Sequence, residues 1–211
     1  MYTSNKGLFI SFEGVDGCGK STQVKLLRDK IGSEGRKVEL VREPGGLKIS
    51  EEIRKILLNP ENSAMNFETE ALLMTASRAQ LTEEVIRPLL VKGFFVIADR
   101  FSDSTLAYQG GGRKLDLNIL KKINSFATKN LVPDITFLID IKPEDAMMRS
   151  GLASTDRIEG AGIDLQKDVQ KTYLSLAKEF SNRFIILDGY DSISSIHSII
   201  WDKIINYSYE D

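Results

Sequence analysis

Several residue types are too scarce here to support the chemistries that need them. The chain has 211 residues and a single cysteine, Cys18, so no internal disulfide can form, which fits a reducing compartment. The one histidine, His197, stands alone in the last amphipathic stretch and is read as structural. No apolar run approaches the roughly 20 residues needed to span a bilayer. The polar start, Met1 to Gly7, lacks the basic head and long apolar core of a signal peptide, and Tyr207 to Asp211 carries no lipidation box. Neither sign of charge dominates: the formal net charge is −2, with no broad basic patch for nucleic acid or a membrane surface. The expected address is the cytoplasm, without nucleic-acid or membrane partners. With no Pro/Gly/Ser-rich linker and no internal repeat, residues 1–211 are expected to form a single domain.

What the chain does have is alternation. Short runs rich in β-branched and aromatic residues occur at Leu8–Phe12, Lys37–Val41, Phe94–Ala98, Ile135–Ile139 and Phe184–Leu187. They are apolar on both faces for much of their length, as strands are when helices cover each side of a parallel sheet. Helical periodicity fills the intervals: Lys20–Glu34, Ser50–Leu58, Glu68–Val91 with Pro88 as a kink or terminus, a stretch to Lys129 with Asp116 as N-cap, Leu165–Phe180 and Ser194–Ile205. Pro143 falls where the first turn of a helix accepts proline. This order predicts a doubly wound α/β fold with a five-stranded parallel sheet, and ligands beyond the C-terminal strand ends.

The strongest motif lies at the first of those ends. Gly14-Val15-Asp16-Gly17-Cys18-Gly19-Lys20-Ser21 matches G-x-x-x-x-G-K-[ST], after the first strand and opening the first helix. Glycines let backbone N–H groups turn around phosphate oxygens, and the helix N-terminus adds partial positive charge. Lys20 is expected to reach the outer phosphates of ATP, Ser21 to ligate Mg²⁺, and Thr22 to complete the binding loop. Cys18 reads as a small filler side chain. A GTPase base-reading N/T-K-x-D is missing, since neither Asn5-Lys6-Gly7-Leu8 nor Thr128-Lys129-Asn130-Leu131 supplies the aspartate. At the end of the third strand, Asp99 would face the metal ion or its waters and Arg100 a second anionic substrate. Met74 and Arg78 are four apart on one helix face, so one can meet a base and the other a phosphate.

Phe12-Glu13-Gly14 through Thr22, Arg42-Glu43-Pro44-Gly45-Gly46, Ala76-Ser77-Arg78-Ala79-Gln80, Asp99-Arg100-Phe101 with Ala107-Tyr108-Gln109-Gly110, and Asp156-Arg157-Ile158-Glu159 together resemble the successive signatures of bacterial thymidylate kinases. The resemblance implies a three-layer P-loop fold of the nucleoside monophosphate kinase type. It also implies transfer of the γ-phosphoryl group of ATP to dTMP with Mg²⁺, and a homodimer. It assigns Asp16 to the deoxyribose 3′-hydroxyl, and Arg54, Arg78 and Arg100 to the acceptor phosphate. Thr105 and Gln109 fall at the thymine edge and Tyr108 under the deoxyribose. The segment 149–162 corresponds to the lid, with Arg157 on the transferring phosphoryl, Arg149 near the donor nucleotide and Glu159 near the metal ion. Two positions depart from the pattern: Met74 stands where a phenylalanine usually stacks on thymine, and Leu47 where a threonine often follows the glycines. A kinase of the same class with another deoxynucleotide or deoxynucleoside acceptor, and a non-catalytic nucleotide-binding module, remain the alternatives.

Overall fold

The structure, a computed structural model, describes residues 7–151, 157–158 and 162–207. Five strands, β1 (Leu8–Glu13), β2 (Val38–Arg42), β3 (Phe95–Asp99), β4 (Ile135–Asp140) and β5 (Phe184–Asp188), form one sheet in the order β2-β3-β1-β4-β5. Every neighbouring pair is parallel, so the expected five-stranded parallel sheet is present. Successive side chains of a strand point to opposite faces, and both faces are apolar here. Leu8, Ile10 and Phe12 of β1 join Phe95 and Ile97 of β3 in one cluster with Val24, Leu27 and Ile31 of α1 (Lys20–Ser33) and Ile196, Ile200 and Ile204 of α9 (Ile193–Tyr207). The alternate residues Phe9, Val96 and Ala98 belong to a second cluster with Leu81 and Ile86.

The other helices are α2 (Lys48–Leu58), α3 (Phe67–Leu81), α4 (Arg87–Val91), α5 (Ser102–Thr105), α6 (Leu117–Thr128), α7 (Pro143–Ser150) and α8 (Ile163–Glu179). Among the described residues, no helix is long and apolar enough to cross a membrane. Asp116 caps α6 as expected, accepting from the N–H groups of Asn118 and Ile119. Two stretches depart from the regular α-helix. The helical stretch expected over Glu68–Val91, with Pro88 as a kink or terminus, passes through a wide π-helical turn, Thr82–Ile86, directly before α4. Proline has no N–H to donate and its ring crowds the carbonyl four residues back, so at Pro88 the regular ladder cannot continue. The segment after β3, which has no apolar periodicity, is helical: α5 runs into a π-helical stretch, Leu106–Gly112. That stretch packs closely on α8, and a Cβ at Gly111 would collide with Thr172.

β1 and β3 are adjacent, with Phe12 opposite Asp99. The phosphate loop and the Asp99-Arg100 pair therefore emerge side by side, at a separation fixed by strand spacing.

Candidate active site

The phosphate loop begins where Gly14 leaves β1 at φ 141°, a conformation open to glycine. A Cβ there would lie 2.6 Å from the Ile139 carbonyl oxygen and 2.8 Å from Cys18 Sγ. Val15 and Cys18 point into the apolar core, so they contribute backbone rather than side chains to the loop. Lys20 lies across it, its Nζ donating to the carbonyls of Gly14 (3.1 Å) and Val15 (2.9 Å). Gly17, Gly19, Lys20, Ser21 and Thr22 line a cleft of about 1330 Å³ with Asp16, Arg42, Glu43, Arg54, Asp99, Arg100, Met147, Gly162 and Gln166.

Ser21 Oγ donates to Asp99 Oδ2 at 3.0 Å, which brings together the two side chains expected at the metal. One hydroxyl and one carboxylate facing a phosphate loop make the hard-oxygen donor set that Mg²⁺ accepts, its other positions being filled by water and substrate phosphates. The residues fit that ion.

Arg100 is the hub between the loop and the rest of the site. Its Nη1 donates to Gly14 O (2.9 Å), Ser104 Oγ (3.3 Å) and Tyr173 Oη (3.1 Å). Its Nη2 donates to Asp16 Oδ1 (2.5 Å) and Tyr108 Oη (3.0 Å). Asp16 also accepts from Tyr108 Oη (2.8 Å) and Gln166 Nε2 (3.0 Å). Burial alone would raise the Asp16 carboxyl, but the charges of Arg100 and Lys20 outweigh it and hold it at about 2. Beneath them, fully buried Glu13 accepts from Phe101 N (2.8 Å), Ser104 Oγ (2.6 Å) and Tyr173 Oη (2.8 Å). Burial, then the nearby Asp103 carboxylate, push Glu13 up to about 7.

A second cleft of about 660 Å³ opens from this hub, lined by Asp16, Glu43, Pro44, Arg54, Leu58, Met74, Arg78, Arg100, Ser104, Thr105, Tyr108, Gln109 and Ile158. The two clefts share Asp16, Glu43, Arg54 and Arg100. Away from that junction the second cleft becomes apolar, with Leu58, Met74 and Ile158 beside Thr105 and Gln109. Arg54 sits at the junction and donates to Pro44 O (2.8 Å).

Arg78 lines the second cleft and is held within the protein. It is 1% exposed, and all five of its N–H groups are engaged within the protein. Nε and Nη2 hold Glu43 (2.7 and 2.5 Å), Nη1 reaches Thr105 Oγ1 (2.8 Å) and Asn124 Oδ1 (2.7 Å), and Nη2 also meets Phe101 O (3.2 Å). It is a wall of the second cleft that positions Glu43 and Thr105. Thr105, Tyr108, Gln109 and Met74 do come together in that cleft.

The two arginines expected in a lid separate. Arg149 donates to Gly189 O (2.6 Å) in the loop after β5 and lies over the Tyr190 ring. Arg157 is not beside the phosphate loop: its Nη1 pairs with Glu70 at 2.7 Å and its Nε donates to Leu57 O at 2.9 Å, at the far end of the second cleft. That ion pair is with a carboxylate buried in α3. Glu159 and Asp156 lie outside the described residues.

Sequence reasoning missed Glu43, Gln166, Glu13 and Glu70. Glu43 stands inside the quoted Arg-Glu-Pro-Gly-Gly box, which was the available signal. Gln166 lies three residues into α8 with nothing local to mark it.

A phosphate loop on a parallel sheet, joined through shared arginines to a second cleft suited to another nucleotide, defines a P-loop phosphotransferase of the nucleotide kinase class. The sequence profile described as thymidylate kinase matches residues 12–200. Proteins named thymidylate kinase are similar over nearly the whole chain. One from Caldanaerobacter subterraneus subsp. tengcongensis is 48% identical over 202 residues, 96% of this chain and 97% of that protein. One from Thermosipho melanesiensis is 50% identical over 193 residues, 92% and 95% of the two chains, and one from Chlorobaculum tepidum is 45% identical over 207, 93% and 96%. The chain belongs to the thymidylate kinase family.

Proposed function

We propose that the protein transfers the γ-phosphoryl group of ATP to dTMP, giving ADP and dTDP. The observation that carries this reading is the junction of the two clefts at Asp16, Glu43, Arg54 and Arg100, which gives a donor triphosphate and an acceptor monophosphate one meeting point. The family membership and the names of the relatives support the choice of acceptor.

A phosphate monoester has its second pKa near about 6 and is largely ionised at neutral pH, so no general base is needed to make the nucleophile. The task is to bring anions together and to hold them in line. The N–H groups of Gly17 to Thr22 and the Lys20 ammonium bind the donor phosphates, and Arg54 and Arg100 receive the acceptor phosphate. Asp16 is fixed by Arg100, Tyr108 and Gln166, and it presents a carboxylate to the acceptor's sugar. Tyr108 packs under that sugar, while Met74, Thr105 and Gln109 form the base end. Mg²⁺, when held by Ser21 and Asp99, supplies positive charge to the phosphate oxygens. Arg149 serves the donor side. Segment 149–162 is read as a lid because Met147 and Gly162, just outside and at its end, both line the donor cleft. Closing such a segment excludes water from the transfer.

A second copy of the chain is proposed as its macromolecular partner. Ile49 and Ile56 of α2, Leu72 of α3 and Phe126 of α6 are exposed, and α3 packs on both of the other two helices.

The deciding experiment is ADP release with MgATP against dTMP, dUMP, dCMP, dGMP, AMP and thymidine. Strong turnover with dTMP, weak with dUMP and none with thymidine is expected. Lys20→Ala should lower kcat on the order of 10²-fold or more with the fold intact. Preference for another acceptor would overturn the dTMP assignment, and a Lys20→Ala variant with near-normal turnover would overturn the role given to that ammonium.

A further inference from the structure

Glu70 lies on α3 outside the residues lining either cleft, and it is 0% exposed. A carboxylate so placed is costly unless it is hydrogen-bonded and charge-compensated. It is both. Gln109 Nε2 donates to Glu70 Oε1 at 2.8 Å, Arg113 Nε approaches the same oxygen at 3.4 Å, and Arg157 Nη1 pairs with Oε2 at 2.7 Å.

We infer that Glu70 is a positioning residue for base selection: it fixes the side-chain amide of Gln109 with its nitrogen toward α3, so that Gln109 offers its carbonyl oxygen to the acceptor's base. The inference rests on the acceptor reading above and deepens it.

A glutamine amide is a donor at one end and an acceptor at the other, and a half-turn about its last bond exchanges them. Free to turn, Gln109 would serve either a base that donates or one that accepts. An ionised carboxylate can only accept. The Gln109 amide nitrogen must therefore face Glu70, since the reverse orientation sets oxygen against oxygen in a buried place and leaves both unpaired. Oε1 is then the polar end Gln109 has for the cleft it lines beside Met74 and Thr105. Thymine and uracil present a donor, N3–H, between two carbonyl acceptors. Cytosine presents an acceptor at N3. A fixed carbonyl matches the first pair and opposes the second, which is how a polar site rejects a near-isosteric ligand. The C5-methyl group is invisible to this device, so it separates cytosine from thymine but not uracil from thymine.

The same carboxylate holds Arg157, whose neighbour Ile158 lines the cleft. Glu70 thus ties one described piece of the lid segment to the side chain that faces the base.

Two measurements test the inference. In the wild-type protein, ¹⁵N-edited spectra should show the Gln109 side-chain amide protons protected from solvent exchange. Rapid exchange would overturn the proposed hold, whether or not any variant folds. The near-isosteric Glu70→Gln can pair with Gln109 in either orientation. It should raise the dCMP-to-dTMP ratio of kcat/KM on the order of 10-fold and leave the dUMP-to-dTMP ratio unchanged. A purely structural residue would lower all three acceptors together, and that result would refute base selection by Glu70. Failure of the acceptor reading is seen separately, as wild-type enzyme that does not turn over dTMP.

Discussion

Arg100 is asked for two things at once. Its backbone lies in the left-handed region at φ 73°, where a side chain other than glycine costs about 1–3 kcal/mol, and its guanidinium joins Asp16 and Tyr108 to the phosphate loop. The conformation is held on both sides: Arg100 N–H donates to Phe12 O at 3.1 Å and the next N–H, of Phe101, to buried Glu13. Glu13 therefore supports the charge without touching it, and its protonation should be visible in stability. In the folded protein it keeps its proton up to a pH of about 7, whereas an unfolded glutamate releases it near 4.5. Between those values the folded state binds more protons, so stability falls as pH rises through the window, by up to about 3 kcal/mol. Thermal melts of the wild type from pH 5 to 8 should show this loss and Glu13→Gln should lack it; parallel profiles would refute the role. None of this was legible in the sequence, because Glu13 and its hydroxyl partners Ser104 and Tyr173 are 91 and 160 residues apart in the chain. The same distance hides the ion pair of Arg78, whose partner Glu43 is 35 residues away. Lys20 and Ser21 were legible because their partners lie within the loop or at an adjacent strand end.

Helices announced themselves when their ends carried local chemistry. Asp116 was readable as a cap because its acceptor meets N–H groups two and three residues on, a relation contained in the sequence. Asp116→Ala should cost about 1 kcal/mol, read as a lower denaturant midpoint with an unchanged slope. A change well under that would mean the α6 terminus is held by packing alone. The segment Ser102–Gly112 gave no such signal. Its three glycines and scattered polar residues carry no 3.6-residue period, and it is helical because its flat glycine face fits against α8. Tertiary packing overrides propensity there. That segment also carries Thr105, Tyr108 and Gln109, which line the second cleft, while its sequence held no local signal for its backbone.

For the whole molecule, the doubly buried strands made the parallel sheet readable, since each apolar run had to be covered twice. What sequence could not reveal is which helix faces meet a partner. Phe126 is 87% exposed, an unusual position for a large apolar ring, and it lies with Leu72, Ile49 and Ile56 on three helices that pack together. Light scattering of the purified chain should give twice 23.6 kDa, with Phe126→Glu shifting the species toward the monomer. A monomer at micromolar concentration would overturn the proposed self-association.

The neighbouring ends of β1 and β3 have a further consequence, for anyone who would redesign this protein. The phosphate loop and Arg100 are set apart by one strand spacing, a distance that no loop can renegotiate. Met74 and Gln109 stand instead on α3 and on the stretch after β3, away from the strand ends. The scaffold is thus divided into a part that sets the reaction and a part that sets the vocabulary of acceptors. A new acceptor specificity is to be sought by rewriting Met74, Gln109 and the carboxylate behind them, with the two strand ends left as they stand.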